Sequence, residues 1–181
     1  RFYKLWGAGD SAQYVMAEKL LRDGLSVNNK RQVFHLSLGD LFFQQGKKSD
    51  GITSFAQAIF QDEQAGFPHW YMAKAFFNEG EYEGGLRELK TALKLGHQIA
   101  DAYEIEPMVR LLEQKKEYQV LHELIKRLVE IEPWNAERLR TLAKSYVLLG
   151  DKVNARIYAE RAMKKDSNLR EGSEEFFDML K

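Results

Sequence analysis

Apolar residues along this chain return at i, i+3, i+4 and i+7, the spacing that gathers them on one face of an α-helix. Trp70, Ala73, Phe76 and Phe77 form one such run, and Leu86, Leu89, Ala92 and Leu93 form another, with Gly80 between them. Two amphipathic runs split by a short glycine turn predict a pair of antiparallel helices. The glycine supplies the left-handed backbone that ends the first helix, and Glu81-Tyr82 begins the second.

The same arrangement recurs. Leu38 to Gly46 reads Leu-Gly-Asp-Leu-Phe-Phe-Gln-Gln-Gly, Met72 to Gly80 reads Met-Ala-Lys-Ala-Phe-Phe-Asn-Glu-Gly, and Leu142 to Gly150 reads Leu-Ala-Lys-Ser-Tyr-Val-Leu-Leu-Gly. Gly46 and Gly80 are 34 residues apart, and Gly80 and Gly150 are 70 apart, two further periods plus two residues. A fixed period of this length is the mark of a repeat array, whose units each leave a hydrophobic face for the next to bury.

The residues at these positions resemble the tetratricopeptide repeat (TPR). Residues 32–65 match through Leu38, Gly39, Phe42, Gly46, Phe55 and Ala58, and residues 66–99 through Ala73, Phe76, Gly80, Tyr82 and Ala92. Residues 136–169 match through Leu142, Ala143, Tyr146, Gly150, Asp151, Ala155 and Ala162. The poorest match is 102–135, whose turn is Lys116-Glu117-Tyr118 without glycine. The resemblance implies an all-α fold, a right-handed superhelical α-solenoid of antiparallel helix hairpins, with four hairpins over 32–169. Residues 1–31 are expected to be an N-terminal segment with a partial repeat helix carrying Tyr14, Ala17, Leu21 and Leu25. Residues 170–181 are expected to form a C-terminal capping helix. Because proline inside a helix removes a hydrogen bond, the first helix of the third hairpin is expected to start near Glu106 or Pro107. The two extra residues, around 95–102, mark an expected irregularity.

Composition narrows the function classes. A hydrophobic fraction of 44% with 30% charged residues suits a folded domain. Lysine plus arginine and aspartate plus glutamate both number 27, so there is no net field to draw nucleic acid. Cysteine is absent, which removes disulfides and thiolate chemistry but leaves the compartment open. No stretch approaches the roughly 20 apolar residues of a membrane span. The chain starts at Arg1 without methionine and reads as a piece of something longer, which leaves a periplasmic or membrane-attached location open beside a slightly favoured cytoplasmic one.

Candidate chemistry is sparse. Gly7-Ala8-Gly9 with Asp10-Ser11 lacks the further glycine and lysine of a phosphate loop and reads as a turn capping the next helix. His35, His69, His97 and His122 show no i, i+4 metal pair; His35 and His69 share one repeat position and read as packing residues. No nucleophile–base motif is present. The expectation is a non-catalytic protein with no cofactor and no metal.

In TPR domains the first helices line a groove, and the resemblance places Leu36, Asp40, Phe43, Trp70, Lys74, Phe77, Arg110, Arg140 and Lys144 in it. Val33, Gln44, Phe67, Asn78, Tyr103, Glu106, Glu113, Gln114, Glu137, Val147 and Leu148 accompany them. The implied groove has an aromatic half centred on Trp70 and a charged half, the composition of a peptide-binding interface. Leu36, Asp40 and Tyr71 stand where chaperone-clamping TPR domains carry lysine and asparagine, which argues against that sub-function. The expected role is a scaffold or adaptor holding a partner peptide or helix, without nucleic acid or membrane insertion. Two other readings stand beside it. One is an appendage of a larger membrane or cell-envelope polysaccharide assembly protein, suggested by Phe2, Tyr3, Leu5 and Trp6. The other is a self-associating scaffold pairing its Phe42-Phe43 and Phe76-Phe77 surfaces.

Overall fold

A computed structural model describes residues 11–98, 102–170 and 173–180. These residues form ten α-helices: α1 Ser11–Val27, α2 Gln32–Gln44, α3 Lys48–Gln61, α4 Gly66–Asn78, α5 Tyr82–Lys94, α6 Ala102–Lys115, α7 Tyr118–Ile131, α8 Ala136–Leu148, α9 Lys152–Lys165 and α10 Ser173–Met179. A 3-10 turn, Ser167–Arg170, joins the last two. No strand and no helix long and apolar enough to cross a membrane occurs among the described residues. The chain divides into two compact units, Arg1–Gln98 and Ile99–Lys181. The division falls in the stretch where the repeat spacing is two residues longer.

In the first unit α2 pairs with α3 and α4 with α5 as hairpins, and α2 also touches α4. The core joins the hairpins: Leu36, Phe55, Ala58, Met72 and Ala75 are buried together, with Phe43, Ile52, Ile59, Tyr71 and Phe76 packed around them. α1 lays Tyr14, Ala17, Leu21 and Leu25 against Leu38, Leu41 and Phe42 of α2. It therefore packs as the second helix of a preceding hairpin does. The turn Gly7-Ala8-Gly9 and the aromatic Phe2 to Trp6 lie outside the described residues.

In the second unit α6 pairs with α7 and α8 with α9, while α7 and α8 join the two hairpins. Ala155, Ala159 and Ala162 are buried on α9, and their small side chains let α9 approach α8 closely. α6 starts at Ala102, earlier than Pro107 predicts, with Pro107 in its second turn. The proline forfeits only the bond to the carbonyl of Tyr103. Both residues are exposed, and the helix continues through the proline to Lys115. The final helix is shorter than expected, covering Ser173–Met179.

The helix ends explain why the period is visible in the sequence. Gly46 (φ 72°), Gly80 (φ 78°) and Gly150 (φ 81°) are left-handed. In the first, Gly46 N donates to Phe43 O at 3.0 Å and Lys47 N to Phe42 O at 2.8 Å, the double bond of a Schellman cap. Lys116 holds the same geometry without being glycine, at φ 60°, with Glu117 N donating to Leu112 O at 3.0 Å. The hairpin at 102–135 thus keeps the cap that its sequence disguises.

Candidate functional site

Successive residues of an α-helix turn by about 100°. Positions 33, 37, 40 and 44 of α2 therefore share a sector of about 60°. The repeat carries that sector to 67, 71, 74 and 78 of α4. Within the second unit it falls at 103, 107, 110 and 114 of α6 and at 137, 141, 144 and 148 of α8. All of these residues are exposed or half-buried. Val33, Phe67 and Tyr103 stand out, at 53%, 44% and 83% exposure. Each first helix thus offers solvent a stripe that starts, in three of the four, with a large apolar residue and ends in Gln44, Asn78, Gln114 or Leu148.

The stripe corrects two of the expected groove residues. Trp70 is 0% exposed and Leu36 5%, because position 36 or 70 lies about 70° from the stripe's centre and turns into the core. Trp70 packs on His97, with ring centroids 5.1 Å apart, and cannot touch a partner. Phe43 and Phe77 are half-buried: Phe43 stacks on Phe55 at 5.6 Å, and Phe77 meets Tyr82 at 6.0 Å. Asp40 and Lys74 sit half-buried on the stripes. The aromatic surface centres instead on Phe67 and Tyr71, one helical turn apart and edge to face at 4.8 Å. The Lys74 ammonium lies 4.8 Å from the Tyr71 ring centroid. Phe67 further touches His97 at 5.6 Å and Tyr71 touches Phe55 at 5.7 Å, so both rings are braced from behind.

In the second unit a cleft of 350 Å³ opens between α6 and α8. Glu106, Arg110, Glu113, Glu137, Arg138 and Thr141 form its walls, over a floor of Val109, Ile125 and Leu128. Arg138, not singled out by the sequence, ties its parts together: Nη2 reaches Glu106 at 3.3 Å and Nε reaches Glu132 at 2.7 Å. Arg140 is fastened on its own helix by a two-pronged pair with Glu137, one contact measuring 2.8 Å. That hydrogen bond, outweighing partial desolvation, pushes the guanidinium pKa further up. Arg110 and Lys144 are exposed.

The histidines are each accounted for. His35 Nε2 faces Asn29 O at 3.1 Å, and His69 Nδ1 meets Glu88 Oε2 at 2.6 Å. His122 lies 3.0 Å from Ser145 Oγ. That hydroxyl donates its one proton to Leu142 O at 2.7 Å, so the imidazole Nδ1–H must be the donor to it. Ser145 is 2% exposed; the pair is a buried fastener between α7 and α8, not a nucleophile and its base. Burial, partly opposed by Glu123 and Asp151, holds the His122 pKa below its ordinary value.

No family model matches the sequence, and no curated protein matches it. Solved structures do. MamA is 18% identical over 88% of this chain and 92% of its own, with a TM-score of 0.58. PilW, a widely conserved type IV pilus biogenesis factor, is 14% identical over 84% of this chain and 70% of its own, at TM-score 0.56. YrrB, described as a TPR protein with an unusual peptide-binding site, is 12% identical over 91% and 84%, at TM-score 0.54. The fold is that of the tetratricopeptide repeat. Identities this low carry the TPR architecture of helix hairpins and nothing of a relative's partner.

Proposed function

We propose that this TPR chain is a non-catalytic protein-interaction module that takes a partner peptide or helix on the stripes of its first helices. Phe67, Tyr71 and Lys74 are the anchor of the first unit. The observation that carries this reading is an exposed Phe67 whose ring is locked against Tyr71 under a lysine. A preordered aromatic pair loses little entropy on binding, and a cation at its edge orients an acidic group. The peptide-binding site described for the similarly folded YrrB supports the reading. Arg110 and Lys144 are assigned the matching electrostatic role on the second unit's stripes. The test is a pull-down with the chain as bait, followed by affinity measurement on what it retains. Phe67→Ala is expected to weaken binding about tenfold or more, the size of an interface hot spot, with the helical fold retained. Retention that is indifferent to both Phe67→Ala and Lys74→Glu refutes the proposal.

Self-association is a second reading, moved from its expected place. Phe42 is buried beneath α1 and unavailable, but α1 leaves Val15, Met16, Leu20 and Val27 exposed. Met16, Leu20 and Val27 share one side of that helix. Solution mass that stays monomeric at high concentration, in both the parent and Leu20→Glu, removes it.

A further inference from the structure

We infer that the surface of α8 and α9 beneath α10 is a second docking site, for a short acidic helix bearing two adjacent aromatic residues, and that α10 is its resident occupant. Three observations in the second unit converge on this, none of which involves the Phe67 anchor.

The first is charge. Residues 136–165, spanning α8 and α9, carry eight lysines and arginines against three acidic residues. α10 reads Ser-Glu-Glu-Phe-Phe-Asp-Met, with three carboxylates and no base. The second is fit. A cleft of 340 Å³ remains between α10 and its seat, with Arg140 and Lys144 on one wall, Ala162 and Met163 on another, and Phe176 and Phe177 projecting from α10. The cleft is partly open to solvent, so α10 covers only part of this surface. Both phenylalanines stay half-buried, and Phe177 lies under the Arg156 guanidinium at 5.6 Å. The third is length. Seven residues make about two turns, too few for a helix to persist without a support. α10 is therefore held by its seat, and part of that seat stays uncovered beside it.

A basic, partly apolar surface only partly covered by an acidic-aromatic helix is a site that a longer helix of the same chemistry can take. While α10 is tethered, its effective concentration at the seat is on the order of millimolar, and it masks the site from an added competitor. The probe is a fluorescein-labelled peptide of residues 171–181, titrated by anisotropy against the full chain and against full-length Phe176→Ser/Phe177→Ser. The double variant is expected to bind the probe at least tenfold more tightly than the parent. Adding Arg140→Glu and Lys144→Glu is expected to remove that binding. Equal affinity in parent and double variant, or binding that survives the charge reversal, overturns the inference. Hydrogen exchange on the unmodified chain gives an independent readout: α10 amides are expected to exchange at least a hundredfold faster than those of α9. Equal protection in the two helices overturns the inference even if the double variant fails to fold.

Discussion

Gly39 of α2 lies directly against the ring of Phe55 of α3, so close that a methyl group on Gly39 would overlap the ring's edge. Phe55 is buried and stacked on Phe43, and has nowhere to retreat. The hairpin closes at this point because one helix lacks a side chain there. Gly39→Ala is expected to destabilise the first unit by about 1–3 kcal/mol, overpacking outweighing alanine's helix preference. Denaturant unfolding followed by circular dichroism checks it; a variant as stable as the parent contradicts the close approach.

Trp70 and Phe67 are three residues apart and should respond in opposite ways. Trp70→Ala empties a fully buried site and is expected to cost about 3–5 kcal/mol of stability. Phe67→Ala removes a ring that is partly in solvent and is expected to cost under about 1.5 kcal/mol while weakening partner capture about tenfold or more. Thermal melts of the two variants side by side separate a core residue from a contact residue.

Lys116 occupies a left-handed position that glycine fills in the other first-helix turns. Left-handed backbone costs a residue with a Cβ about 1–2 kcal/mol, and glycine's greater freedom in the unfolded chain returns part of that. Lys116→Gly is expected to stabilise the chain by roughly 0.5–1 kcal/mol, seen as a higher denaturant midpoint at unchanged slope. A destabilised variant would mean that the lysine side chain contributes more than the turn geometry indicates.

His122 makes the second unit sensitive to acid. Desolvation lowers its folded-state pKa below the ordinary histidine value of 6.5, so the unfolded chain takes up the proton more readily than the folded one. Stability from this site is complete above pH about 6.5 and declines as pH falls through that value. Glu123 and Asp151 oppose the shift and Lys126 adds to it. Unfolding midpoints taken between pH 7.5 and 5.5 are expected to fall for the parent and to fall less for His122→Gln. Identical slopes in the two proteins would remove the effect from His122.

Much of this molecule is legible from residue order alone. The 34-residue spacing of Gly46 and Gly80, the helical periodicity around them and the apolar face of α1 specify helix hairpins, because caps and amphipathic faces are local properties written in short segments. The third hairpin was harder to read, since Lys116 supports a glycine-like turn and Pro107 is tolerated on the exposed side of its helix. The site was legible only in outline. A repeat position names a helix face to within one residue, and one residue is about 100° of rotation, enough to move the anchor from Trp70 to Phe67 and Tyr71. Whether an aromatic residue is core or surface depends on what lies across from it. His97 covering Trp70, Arg138 joining Glu106 to Glu132, and the partly covered seat of α10 are long-range packing relations. They come into being only when distant segments meet, and tertiary structure alone decided them.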